Sequence, residues 1–183
     1  MIKKSVQDAI NAQINEELYS AYLYAAMRAY FEELNLKGFS NWMRIQVEEE
    51  LFHSKKFANF LFDRSGKVVF KAIKEPKVEW KSVLEAFQAA YKHECHISEC
   101  INKLATLAEK ESDHATRAFL EWYITEQVEE EANADAMVNN LKLVEGAPSG
   151  LFMLDREAGQ RVVSPLIVAS ITGRSEEHTS ELQ

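Results

Sequence analysis

At 183 residues, with 46% hydrophobic and 27% charged residues, the chain suits one globular domain with a sizeable core and is too apolar for a disordered polymer. Its net charge of -8 argues against nucleic acid as a partner and fits a protein that attracts cations. No apolar run reaches the length of a membrane span, and Met1-Ile2-Lys3-Lys4-Ser5 lacks the apolar core of a signal peptide, so no membrane association and a cytoplasmic setting are expected.

A first long helix is predicted from about Ser5 to Leu34, with Ser5 and Asp8 as its capping pair. Its apolar stripe runs Ile10, Ile14, Ala21, Tyr24 and carries Glu17 in the middle. A break at Asn35 to Gly38 returns the chain into a second helix, from about Phe39 to Arg64, closed by Ser65-Gly66. Its stripe is Met43, Gln46, Glu50, His53, Phe57, Phe60. Lys67 to Glu79 reads as extended, with Val68-Val69-Phe70 and Pro76. Ser82 with Glu85 forms a capping box that opens a third helix running to about Lys110, with the stripe Val83, Phe87, Ala90, Glu94, Ile97, Ile101, Leu104. Ser112-Asp113 starts the fourth, which runs to about Val144 with Leu120, Tyr123, Gln127, Glu130, Ala134, Met137 and Leu141 on one face. Gly146, Pro148 and Gly150 then break the chain before a short amphipathic stretch, Leu151 to Arg161.

In the C-terminal tail, residues 163–183, Gly173 to Gln183 has no periodic apolar pattern and follows an odd run, Ser164-Pro165-Leu166-Ile167-Val168-Ala169, and the stretch Arg174 to Gln183 resembles a translated sequencing adapter. This tail is expected to be disordered, packed inward or an artefact, and His178 within it carries no functional argument. Cys95 and Cys100 fall five positions apart on the third helix, on different faces. That spacing argues against an intrachain disulfide and matches no CxxC pattern.

Connection lengths constrain topology. Short first and third links make antiparallel neighbours of helices one and two, and of three and four. The middle link of about 15 residues reaches roughly 50 Å when extended, against roughly 42 Å for a helix of about 28 residues. A crossover that leaves helices two and three parallel is therefore favoured.

A carboxylate on a core-facing stripe is costly unless something neutralises it. Four stripes pooling Glu17, Glu50, His53, Glu94, Gln127 and Glu130 point to a metal site inside a helical bundle. Glu50-x-x-His53 places a carboxylate and an imidazole on one face, a donor pair that suits iron, manganese or zinc. Glu49, Glu126 and Glu129 adjoin these groups, and Glu126, Glu129 and Glu130 share much of one helical face, where a cation would relieve their repulsion. The plainer reading of that face is a solvated acidic surface. Tyr24 lies one heptad from Glu17, and Trp122 one turn before Glu126. Each is either a core aromatic or a redox-protective group beside the metals.

With this constellation in place, the chain resembles the prokaryotic non-haem ferritins over residues 1–162. The resemblance is carried by Asn15-Glu16-Glu17-Leu18-Tyr19-Ser20-Ala21-Tyr22-Leu23-Tyr24, by Glu48-Glu49-Glu50-Leu51-Phe52-His53 and by Glu126-Gln127-Val128-Glu129-Glu130-Glu131. Leu154-Asp155-Arg156-Glu157 and Gly159-Gln160-Arg161 resemble that family's short fifth helix. The fold it implies is an all-α, ferritin-like four-helix bundle with one long crossover between helices two and three and a short C-terminal fifth helix. In the ferritin-like di-iron proteins two helices offer one Glu each and two offer Glu-x-x-His. Here Gln127-x-x-Glu130 stands where the second Glu-x-x-His would be, which leaves the two metal positions unequal.

The resemblance further implies a ferroxidase centre. Glu17, Glu50 and His53 would hold a first iron. Glu50, Glu94 and Glu130 would hold a second, with Glu50 bridging and Gln127 within hydrogen-bonding reach. Glu49, Glu126, Glu129 and Glu130 would hold a more labile third. Fe(II) and O2 or H2O2 would be the substrates, and a hollow homo-oligomeric shell of 24 subunits would store ferric oxyhydroxide. Phe52 stands beside His53 where haem-binding relatives are expected to carry an axial Met, so no haem is expected. Two other readings stay open: a di-iron peroxide reductase or oxygenase on the same bundle, and a non-catalytic iron buffer. A rubrerythrin-like reductase would bring a Cys-rich domain that this sequence does not contain.

Overall fold

The computed structural model describes residues 2–172, which form α1 (Lys4–Glu33), α2 (Lys37–Asp63), α3 (Val83–Lys110), α4 (His114–Leu143), α5 (Pro148–Ala158) and α6 (Pro165–Thr172). Among the described residues there is no strand, and no helix is long and apolar enough to cross a membrane. α1 packs on α2, α3 on α4 and α1 on α3, while α5 packs on α2 and α4.

The predicted caps hold in part. Ser82 Oγ accepts the Glu85 N–H at 3.1 Å, but Glu85 Oε2 takes the N–H of Lys81, one residue before the cap. Asp113 Oδ1 accepts the Thr116 N–H at 3.0 Å and the same carboxylate pairs with Arg64 at 3.0 Å, tying the start of α4 to the end of α2. The pair Ser5–Asp8 does not cap α1. The helix starts one residue earlier, at Lys4, so Ser5 lies inside its first turn and its hydroxyl donates to Glu111 Oε1. At the end of α2 the left-handed residue is Ser65, with φ 53°, rather than Gly66. Asn35 and Ser112 take the same conformation after α1 and α3, at φ 58° and 54°, letting the chain turn sharply.

The direction of each helix follows from the two apolar clusters at the ends of the bundle. One contains Tyr24, Phe31, Phe39, Met43, Phe87 and Leu141; the other contains Ile10, Ile14, Phe57, Ile97, Leu104 and Leu120. Along α1 and α4 residue numbers run from the second cluster to the first, and along α2 and α3 from the first to the second. Thus α2 and α3 are parallel, as the link length predicted. The link itself is pinned to α1: Asn11 Nδ2 donates to the Lys67 carbonyl at 2.9 Å and Asn11 Oδ1 accepts the Val69 N–H at 2.6 Å.

α5 begins at Pro148, earlier than Leu151, because Pro suits the first helical position. It docks through Asp155, whose Oδ1 accepts the Phe39 N–H at 2.9 Å. This approach needs Gly38, since a Cβ there would lie 1.5 Å from the Asp155 carbonyl oxygen. Gly38→Ala is therefore expected to lower stability by about 3 kcal/mol through overpacking, although Gly→Ala within a helix is ordinarily favourable by about 1 kcal/mol. Thermal unfolding followed by circular dichroism checks it, and a raised Tm would rule out the close contact.

Of the alternatives for the stretch after Val163, the segment as far as Thr172 is packed. Pro165 starts α6, Ile167 is buried, and Lys55 Nζ donates to the Ser170 carbonyl at 2.9 Å, so the segment packs on α2. The adapter-like stretch and His178 lie outside the described residues.

Candidate metal centre

Between the two apolar clusters lies a polar layer contributed by all four long helices. Glu17, Glu50, His53, Glu94, Gln127 and Glu130 are each no more than 5% exposed. Each lies on the core-facing stripe of its helix, so the 3.6-residue period that places the neighbouring Ile, Phe and Leu inside also carries these polar groups inward.

Donor atoms of Glu17, Glu50 and His53 lie within 4.8 Å of one another, close enough for one ion to bind all three. His53 Nδ1 is 3.4 Å from Glu50 Oε2. Glu17 Oε1 accepts from Gln13 Nε2 at 2.9 Å, whereas Glu17 Oε2 and Glu50 Oε2 are buried without a hydrogen-bond donor. Two orphaned carboxylate oxygens beside an imidazole suit a cation. On the other side of the layer, Glu94 Oε1 accepts from the Tyr24 hydroxyl and Glu94 Oε2 from Gln127 Nε2 at 3.3 Å. Glu130 Oε2 accepts from Gln46 Nε2 at 3.0 Å.

The layer holds protons when it lacks cations. Burial pushes Glu17 well above the usual carboxylate range, and the charge of Glu50 adds to this. Burial and then Glu94 do the same to Glu50. Glu94 is raised to about 8 by burial and Glu130, against the opposing hydrogen bonds from Tyr24 and Gln127. Glu49 is raised to about 7 by burial, with the Arg161 guanidinium opposing. A divalent ion would take the place of these protons.

The remaining sequence candidates are less enclosed. Glu49 is 8% exposed, Glu126 is half-buried and Glu129 lies at the surface. Burial raises Glu126 most; His53 opposes, and Glu130 and Glu129 add to the rise. Tyr24 is fully buried and bonded to Glu94, so it touches the carboxylate layer directly. Trp122 stands edge-on to the His53 ring with centroids 5.4 Å apart. Cys95 and Cys100 are free thiols.

Sequence reasoning missed four supporting groups. Gln13 lies one turn before Glu17, and that i, i+4 spacing was a usable signal. Gln46 belonged to the stripe without a role. Tyr123, whose hydroxyl donates to the His53 carbonyl at 2.9 Å, was placed on the inward stripe, and Arg161, which reaches Glu49 at 2.7 Å, in the fifth-helix motif, but nothing in the spacing tied either to the site.

The family model of the ferritin-like domain matches residues 7–144. This chain belongs to the ferritin family. It is 37% identical over 161 residues to a bacterial non-haem ferritin of Bacteroides fragilis strain 638R, covering 88% of this chain and all of that one. It is 34% identical to the non-haem ferritin of Staphylococcus aureus strain MRSA252, covering 88% of this chain and 97% of the relative. Among solved structures it is similar to the open-pore ferritin of the archaeon Archaeoglobus fulgidus, at 46% identity and a TM-score of 0.87, over 88% of this chain and 100% of that one. As a prokaryotic non-haem ferritin the chain is an iron-storage protein with ferroxidase activity. The buried set Glu17, Glu50 and His53 is suited to that iron.

Proposed function

We propose that this ferritin oxidises Fe(II) at two adjacent positions in the carboxylate layer and passes the ferric product to a mineral held inside a shell of its own copies. Glu17, Glu50 and His53 bind the first Fe(II). Glu50, Glu94 and Glu130 bind the second, with Glu50 shared, so that O2 or H2O2 can accept one electron from each ion in a two-electron step. Glu49, Glu126, Glu129 and Glu130 form a third, looser position. The single observation that carries this reading is the pair of buried, undonated oxygens on Glu17 and Glu50 beside His53.

The protein's part is to place hard oxygen donors and one imidazole, which favour the ferric state of the product. Gln13, Tyr24, Gln46 and Gln127 donate to the carboxylates and hold their orientation, as outer partners of metal-binding side chains do. Iron is substrate and cargo; no haem is involved. Free thiols and the absence of a disulfide among the described residues suit a reducing cytoplasm, and the assembly is a 24-subunit shell.

Aerobic addition of excess Fe(II) to the apoprotein, followed by size-exclusion chromatography with iron measured across the fractions, tests this. Many irons per subunit in one large species supports storage. About two per subunit with no mineral would favour a small di-iron enzyme instead.

A further inference from the structure

Arg161 lies just past α5, yet its guanidinium reaches into the carboxylate layer. Nη2 donates to Glu49 Oε2 at 2.7 Å, Nη1 donates to Gln46 Oε1, and Gln46 Nε2 in turn donates to Glu130 Oε2 at 3.0 Å. The guanidinium also stacks against the Trp42 ring, 4.7 Å from its centroid. Its backbone is held too, because Asn41 Nδ2 donates to the Arg161 carbonyl at 3.0 Å and, six residues earlier, Asp155 anchors α5 to the Phe39 N–H. Four successive points on α2 (Asn41, Trp42, Gln46 and Glu49) therefore set the position of one positive charge. A planar, permanently charged fork donating to a carboxylate and an amide is a strong and directional contact.

We propose that Arg161 is a built-in competitor cation for the third metal position, holding that position weak so that iron passes through it. This rests on the reading that Glu49, Glu126, Glu129 and Glu130 form such a position. A divalent ion drawing on Glu49 meets the guanidinium at hydrogen-bond range, and must displace it or share the carboxylate with it. Through Gln46 the same guanidinium also steadies Glu130, which is common to the second and third positions. The third position accordingly fills last and empties first. Since Arg161 is carried by the segment that follows α5, any shift of α5 away from α2 withdraws the competing charge.

The test is anaerobic calorimetric titration of the full-chain apoprotein with Fe(II), comparing the wild type with Arg161→Ala and Arg161→Lys. Removing the competitor is expected to tighten the weakest class of sites by about tenfold in Kd, the worth of one charge-assisted hydrogen bond. Lys, a point charge without the fork, falls between. Structural damage loosens metal binding, so a gain in affinity separates competition from misfolding. Should Arg161→Ala fail to assemble, Asn41→Ala removes the backbone anchor and is expected to shift the same class in the same direction. Three ions per subunit with an unchanged weakest Kd would overturn the role of Arg161 and leave the third position standing. Two ions per subunit in every variant would overturn the third position itself, and this proposal with it. Two in the wild type and three in Arg161→Ala would support it.

Discussion

Glu50→Gln is expected to abolish rapid Fe(II) oxidation, lowering the initial rate about a hundredfold or more, while raising the thermal stability of the apoprotein. The two effects have one cause. Glu50 is 1% exposed and its Oε2 accepts no hydrogen bond from a neighbouring polar side chain, so wherever the metal-free layer loses its protons the bundle encloses an unsatisfied acceptor among other carboxylates. Leaving such a group unpaired costs about 1–3 kcal/mol. The amide keeps the volume, removes the charge and supplies a donor to the neighbouring carboxylates. For iron the same change is damaging, because the shared ligand of both proposed positions loses its charge. Changes even to outer partners of metal ligands cost about 10–100-fold, and a bridging ligand should exceed that. Stopped-flow oxidation at two Fe(II) per subunit and calorimetric unfolding of the apoprotein at pH 8 read the two effects separately. A fall in the apoprotein Tm would show that the Glu50 carboxylate is structural, and an unchanged oxidation rate would move the chemistry elsewhere.

Apoprotein stability is expected to decrease as pH rises from about 5 to about 8, opposite to the behaviour of a protein stabilised by ordinary ion pairs. Glu17, Glu50 and Glu94 have folded-state pKa values above the unfolded carboxylate value of about 4.3. Between the unfolded and folded values the native state binds more protons than the unfolded chain, so unfolding free energy falls with pH across that window. Each group that stays protonated contributes a slope of about 1.4 kcal/mol per pH unit. For Glu94 the loss is complete once pH passes its value of about 8. Asp113 has the opposite sign: its pKa is lowered in contact with Arg64 and Thr116, so its contribution is present above the ordinary range and lost only as pH falls below it. The two effects therefore occupy different windows. A divalent ion replaces the protons, so binding should release them and flatten the profile. Unfolding midpoints from pH 5 to 8, with and without Zn(II) as a redox-inert probe, measure this. An apoprotein Tm that rises steadily over that range would contradict it, as would Zn(II) binding without proton release.

Much of this protein could be read from local pattern. A helix places residues three and four apart on one face, so the stripes around Glu17, Glu50, Glu94 and Glu130 declared both the helices and the polar groups they turn inward. Ser82 and Asp113 marked helix starts because a side-chain acceptor next to free backbone N–H groups is a local matter. The long link before Ser82 indicated the crossover because chain length bounds reach. The cap at Ser5 was misplaced for a tertiary reason: its hydroxyl meets an acceptor, Glu111, at the end of α3. Which surface the segment after Val163 packs on, a face of α2, is likewise something residue spacing does not reveal.

What the one-dimensional pattern cannot specify is which atoms meet across helices. That Tyr24 bonds Glu94, that Gln46 bonds Glu130 and that Arg161 bonds Glu49 depends on crossing angle, register and side-chain direction between elements as far apart as 112 residues. Periodicity says that a carboxylate is buried. Only the packing of neighbouring helices says whether its oxygens are paired, and two of them, on Glu17 and Glu50, are not. The sequence alone thus determined the helices, their inward faces and the kind of donor they carry, because these depend on spacing within one element. The tertiary structure alone decided which donors remain open to a cation and which are covered by Arg161, because burial and hydrogen-bond partnership are properties of the assembled bundle.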